Sequence, residues 1–130
     1  MLFRSKLNKF LSKRNKIAKK YNKLLSPLPI RIPEVDLKAK SSFHLYVIRL
    51  TDYPSRSYKK IFNYLRKNGI GVNLHYLPVH LHPYYRSLGF KEGDFPNAEK
   101  YSSEALSIPI YYELSDNEQK KIVSKISAIL

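Results

Sequence analysis

Cysteine is absent from the 130 residues, which removes both a disulfide framework and thiolate chemistry and makes a reducing cytoplasm the expected setting. No uninterrupted apolar run approaches the roughly 20 residues that a membrane span needs, and none near the start has the form of a secretory signal. A soluble chain without membrane contact is therefore expected. Acidic side chains are scarce and unevenly placed: residues 1–25 contain none, beside nine lysines and arginines. Residues 41–130 carry 12 basic and 8 acidic groups, so the net charge of +14 belongs mainly to one segment. Also missing are a nucleophile elbow, a glycine-rich phosphate loop of either standard spacing, and a close pair of carboxylates for acid–base work.

What remains is enough for one ordinary core, since 43% of the residues are hydrophobic, but the length is too small for two domains of typical size. Between Leu2 and Leu25 the residues Phe3, Leu7, Phe10, Ile17, Tyr21 and Leu24 recur at steps of three and four, interrupted at Arg14. That pattern predicts a long amphipathic helix with a basic back. Pro27, Pro29 and Pro33 end it by fixing an extended path. Ser42 to Leu50 is rich in aromatic and β-branched residues and reads as a central strand. A helix follows, with Asp52 or Ser55 as its cap and Tyr58, Ile61, Phe62 and Leu65 on one face.

The stretch Gly69 to His80 concentrates most of the chemistry. Gly69 supplies the left-handed residue that closes the preceding helix. Ile70, Val72, Leu74 and Tyr76 then alternate with Gly71, Asn73 and His75, the period of a half-buried strand that stops at Pro78. His75, Tyr76 and His80 thus fall at a strand end and in the loop leaving it, where side chains are displayed. Gly89 closes a short helical piece, Asn97 to Ala105 forms another helix, and Leu106 to Tyr111 alternates as a third strand limited by Pro109. Ser115 and Glu118 fit a capping box before the stripe Ile122, Ile126, Ile129. The fold class expected is α+β: a small three-stranded mixed or antiparallel sheet, its late strand inserted between the first two, with helices on one face and a long N-terminal helix.

Four histidines invite a metal reading, but no cysteine supports them, no carboxylate stands near before Glu92, and Pro78 and Pro83 separate the imidazoles. No metal is expected. His44 and His75 read as histidines hydrogen-bonded beside the core, whereas for His80 a ligand contact and a structural role both stay open. Tyr21, Tyr46, Tyr76 and Tyr101 fall on predicted apolar faces, which favours packing over base stacking. The basic first helix reads either as the solvated back of a packed helix or as a module for nucleic acid or another anionic surface.

Taken in order, Lys13-Arg14, Ile17-Ala18, Tyr21, Ser42 to Ile48, Gly69-Ile70, His75-Tyr76-x-Pro-x-His80, Pro83-Tyr84, Gly93-Asp94-Phe95-Pro96-x-Ala98-Glu99, Ser102 and Leu106-Ser107-Ile108-Pro109 form a set. This set resembles the C-terminal part of the sugar-nucleotide aminotransferases of the DegT/DnrJ/EryC1/StrS family, over essentially the whole chain. Within the family it is most similar to transaminases acting on UDP-4-keto-6-deoxy-N-acetylhexosamines in surface-sugar pathways, the altrosamine transaminase type. The resemblance implies a dimeric, fold-type-I pyridoxal-phosphate enzyme that moves an amino group from glutamate to a keto-sugar nucleotide for surface polysaccharide or glycan synthesis. It further implies that residues 1–25 are a domain-linking helix and 26–130 the small C-terminal domain. The family's Schiff-base lysine and the aspartate facing the pyridinium nitrogen have no counterpart motif in this sequence. The resemblance therefore implies no catalytic or cofactor-binding residue here, no cofactor for this chain alone, and no activity without a large domain. It places Tyr76 and His80, with His75 and Tyr84 as weaker candidates, beside the sugar-nucleotide pocket. A second copy or the large domain is expected to meet residues 1–25.

Overall fold

The computed structural model describes residues 2–53 and 55–130, with side chains from residue 5 onward apart from those of Ser55 and Arg56. Its elements run α1 (Leu2–Leu25), β1 (Tyr46–Arg49), α2 (Ser55–Lys67), a 3-10 turn (Val79–Leu81), α3 (Pro83–Ser87), α4 (Pro96–Glu104), β2 (Ala105–Ile108) and α5 (Asp116–Ser127). Mixed helix and strand is the class expected from the sequence.

Helix α1 buries its C-terminal half. Ile17, Ala18, Tyr21 and Leu25 are enclosed, while Leu7 is half exposed and Phe10 packs edge-on against Tyr112 with ring centroids 4.9 Å apart. The expected burial of the helix start in a partner rests on Leu7, Phe10 and Phe3, and the Phe3 side chain lies outside the described residues. The interruption at Arg14 has a cause that periodicity does not show. Its Nη1 donates to the carbonyl oxygens of Phe43 at 2.8 Å, His44 at 3.2 Å and Ile110 at 3.3 Å. A guanidinium with several donors in a fixed fork suits such a cluster of acceptors.

The carbonyls bound by Arg14 also explain why β1 begins at Tyr46 instead of Ser42. Phe43 has a φ of +45° and its N–H goes to Ser41 Oγ at 3.0 Å, so this stretch spends its backbone groups locally and on Arg14 instead of on a ladder. From Tyr46 onward β1 pairs antiparallel with β2, in the register Tyr46 to Ile108 and Arg49 to Ala105. Tyr46 and Ile48 join Ile17, Tyr21, Ile61, Leu65, Leu106, Ile122 and Ile126 in one core.

The sheet has two strands, not the three expected. Ile70 and Val72 are buried at the predicted alternate positions, but the Val72 N–H turns back to the Ile70 carbonyl at 2.9 Å. Only Asn73 then reaches β2, exchanging N–H···O bonds of 3.2 and 2.9 Å with Ser107. The local turn before that bridge denies the segment a rung on its N-terminal side. The inserted order does hold at this single pairing, with β2 lying between β1 and Asn73 and antiparallel to both.

Helix α2 ends on a Schellman motif. The Gly69 N–H bonds the Arg66 carbonyl, the Ile70 N–H bonds the Leu65 carbonyl, and Gly69 has a φ of +75°. The cap at its other end is not settled for Ser55, whose side chain lies outside the described residues. Helix α5 opens on the expected capping box: Ser115 Oγ accepts from the Glu118 N–H and the Glu118 carboxylate accepts from the Ser115 N–H at 2.8 Å. Buried Gln119 donates to the Ile17 carbonyl at 3.0 Å and Lys20 meets Asp116 at 2.6 Å, which fastens α5 across α1.

Candidate functional site

Buried Ile70 and Val72 and the Asn73–Ser107 bridge fix where the next residues emerge. Buried Ser107 donates its hydroxyl to the Asn73 carbonyl at 2.9 Å and holds the His75 ring through Nδ1. Because the serine proton is committed to the carbonyl, His75 Nδ1–H is the donor in that second bond. The adjoining Tyr76 ring stands edge-on to His75 at 4.8 Å but is 71% exposed, and Tyr101 is 39% exposed, so the packing expected of Tyr21, Tyr46, Tyr76 and Tyr101 from their apolar faces is found only for Tyr21 and Tyr46. Pro78 is buried and introduces the 3-10 turn, which carries His80 inward.

His80 is enclosed, with 7% of its surface exposed, and is placed by α4. Its Nε2 donates to Glu99 Oε1 at 2.8 Å, and the Phe95 ring lies 4.8 Å away. The same carboxylate accepts from the Gly93 N–H at 2.9 and 3.0 Å and from the Phe95 N–H at 3.3 Å. Gly93 has a φ of +96°, and Asp94 acts as a turn residue by accepting from the Lys91 N–H at 2.8 Å. Loss of hydration pushes the Glu99 carboxyl up, but hydrogen bonds from His80, Gly93 and Phe95 outweigh it and leave the group below the usual range. Glu99, which the sequence reading quoted only within a motif and gave no site role, is the group that holds His80. The available signal is an acid in the first turn of a helix opened by Pro96, where a carboxylate reaches back to free N–H groups.

The four candidate residues do not converge. His80 lines an apolar cavity of about 350 Å³ with Val79, Tyr85, Phe90, Phe95 and Ala98. His75 lines a separate cavity of about 550 Å³, together with His44, Asn73, Ser107, Tyr111, Glu118 and Lys121. Tyr76 and Tyr84, the latter 69% exposed with its ring edge-on to Tyr85 at 5.3 Å, face solvent.

The residues present do not fit a pyridoxal-phosphate site. Schiff-base chemistry needs a lysine whose amine is desolvated or held beside another cation, and no described lysine is buried. Lys121 borders the larger cavity but is exposed, and the carboxylate of Glu118 beside it is committed to Ser115 and to the Tyr111 hydroxyl. Among the described residues no group of three or more His, Asp or Glu side chains is placed to hold a metal ion. His82 is an exposed ring whose Nε2 donates to the Leu77 carbonyl at 3.3 Å. On α1, Arg14 and Lys20 are engaged within the fold, whereas Lys16 and Lys19 border an open groove of about 670 Å³ with Lys40. No helix among the described residues is long and apolar enough to cross a membrane.

A long helix laid over a small sheet, with a histidine–tyrosine segment pinned to β2, matches part of the fold of PLP-dependent aminotransferases. The chain belongs to the DegT/DnrJ/EryC1/StrS aminotransferase family, whose sequence pattern matches residues 4–127. It is 33% identical over 101 residues to the spore coat polysaccharide biosynthesis protein SpsC of Bacillus subtilis, covering 75% of this chain and 26% of that one. Among solved structures it is similar to Spr1654 of Streptococcus pneumoniae, described as a sugar aminotransferase, in its PMP form. There the TM-score is 0.91 at 26% identity, over 96% of this chain and 32% of that one. Helicobacter pylori PseC, an aminotransferase involved in the biosynthesis of pseudoaminic acid, gives a TM-score of 0.84 at 26% identity, over 96% and 34%. The chain spans about a quarter of the length of the curated relatives it matches. Solved relatives include both PLP and PMP forms, so the cofactor is a property of the family.

Proposed function

We propose that this chain is the small C-terminal domain of an aminotransferase that moves an amino group from glutamate to a UDP-4-keto-6-deoxy-N-acetylhexosamine for surface polysaccharide or glycan synthesis. Residues 1–25 link it to a cofactor-bearing domain and 26–130 form the small domain. The single observation that carries this reading is the segment from Asn73 to His80, anchored on Ser107 and Glu99, within a fold that overlays the PMP form of a family member at a TM-score of 0.91. The similarity to PseC supports the amino-sugar class. In this reading Tyr76 offers a flat exposed face and one hydroxyl to the sugar nucleotide and His80 an adjustable polar contact, while His75, in its separate cavity, and Tyr84, at the surface, belong to the outer surroundings of the ligand.

The cofactor supplies the electron sink for transamination, and the lysine that holds it belongs to the cofactor-bearing domain. Purified chain mixed with pyridoxal phosphate should show no borohydride-trapped adduct at one lysine and no glutamate-dependent amination of a UDP-4-keto sugar. Adding a matching cofactor domain should restore turnover that falls on Tyr76→Ala. A single-site adduct with turnover from these 130 residues would defeat the division of labour.

The exposed lysines bordering the α1 groove favour a second reading, an anion-binding module. Counterion release alone would make duplex DNA binding weak and steeply lost as salt rises. Sequence-selective binding that survives physiological salt would favour the module.

A further inference from the structure

Glu99 lies 19 residues from His80 on a different element, yet it is the only polar partner of the imidazole among the described residues. No fully buried side-chain nitrogen or oxygen among them lacks a partner, and His80 Nδ1 carries no hydrogen bond to a described residue, so Nδ1 is not fully enclosed. The two nitrogens therefore have separate environments. A carboxylate that also collects the N–H groups of Gly93 and Phe95 is held as an anion and can only accept. Its bond to Nε2 keeps a hydrogen on that nitrogen whether the ring is neutral or charged.

We infer that Glu99 is a positioning residue: through Nε2 it fixes the tautomer and orientation of His80, so that Nδ1 is the atom left to a ligand. When neutral, Nδ1 accepts from a hydroxyl such as that of a sugar. When protonated, it donates to an anionic oxygen such as that of a phosphate. The titratable groups facing the ring are Glu99 from α4 and Tyr85 from α3, while Val79, Phe90, Phe95 and Ala98 complete an uncharged wall. The uncharged wall leaves Glu99 as the only anion among the described residues that bonds the ring and so chooses the tautomer. The ligand assignment rests on the functional reading above; the tautomer assignment does not.

The test is nitrogen-15 NMR of the His80 ring in the 130-residue chain across a pH titration, with no ligand or cofactor required. Nε2 should keep a protonated, pyrrole-type shift throughout, and only Nδ1 should move. Glu99→Ala should mix the tautomers, and Glu99→Gln, whose amide oxygen still accepts, should restore much of the Nε2–H form. Amide shifts of Ile48 and Leu106 serve as the check that the core stays folded. A neutral ring protonated on Nδ1, or a tautomer ratio untouched by Glu99→Ala in a folded protein, would overturn the assignment. UDP-N-acetylglucosamine is then added to the wild-type chain. A selective Nδ1 shift supports the ligand role, and no shift beside an intact Nε2–H tautomer counts against the sugar-nucleotide reading alone.

Discussion

Two parts of the chain achieve order by different means. The body, made of the C-terminal half of α1 with β1, α2, β2 and α5, buries nearly all of its large apolar side chains in one cluster. The arm from Tyr76 to Tyr101 does the opposite: Tyr76, Leu77, Val79, Tyr84, Leu88 and Phe95 are all substantially exposed, and no side chain of α3 is buried. The arm is held by short-range bonds instead. Gly89, with a φ of +99°, closes α3 in a second Schellman motif, and Glu99 gathers three donors onto one carboxylate. The body thus draws its stability from area removed from water, the arm from backbone geometry and a few charge-assisted bonds. Segments of the second kind open at lower free energy than the fold as a whole.

The comparison is broken most forcefully from within the body. Leu106→Ala, at a fully buried position of β2, should cost about 2–5 kcal/mol and appear as a lower urea midpoint. An equal loss from the exposed Leu88→Ala would erase the distinction. Next in size is Arg14→Ala, which strips a donor from three carbonyls and should cost about 1–3 kcal/mol. Smaller again is a matched pair of Gly→Ala changes. Both glycines have open space around a new Cβ, so only the left-handed backbone is penalised, by about 1–2 kcal/mol. At Gly69 the penalty should lower the global midpoint; at Gly89 it is capped by the arm's own opening and should appear as faster amide exchange at Phe90.

The smallest effect is a response to acid. Because the folded Glu99 carboxyl is depressed, its contribution is complete above the ordinary carboxylate pKa and is lost as pH falls through the folded value. Amide exchange at Gly93 and Phe95 should then accelerate in acid before that at Ile48 does. Simultaneous loss at all three sites would mean that the arm and the body open together.

What the sequence showed and what it hid divide along the same line. Periodicity and caps gave the limits of α1, the Gly69 stop and the Ser115–Glu118 box, because each is written within a few neighbouring residues. The strand expected over residues 70–76 shows how far alternation reaches. Ile70 and Val72 are buried as the pattern requires, but a ladder also needs backbone groups free to pair, and the Val72 N–H is already used. Alternation reports faces, not hydrogen bonds. The pairing of His80 with Glu99 and the grip of Arg14 on Phe43, His44 and Ile110 depend on long-range placement, which one sequence read by spacing does not show. For the site this means that the chain position of the segment bearing Tyr76 and His80 was legible, but the expected display of His80 is corrected by its burial, and the groups that enclose it were not legible.

The grip of Arg14 also sets a direction. From Arg14 to Leu2 the helix runs about 18 Å, and a tilt of about 10° at the grip would carry its tip sideways by about 3 Å. Arg14 therefore works as the fulcrum of a rod. The core holds the short end through Ile17, Tyr21 and Leu25, and the long end, with half-exposed Leu7, is aimed by three carbonyl oxygens. Whatever meets that end meets it at an angle decided near residues 43, 44 and 110, far from the surface being recognised.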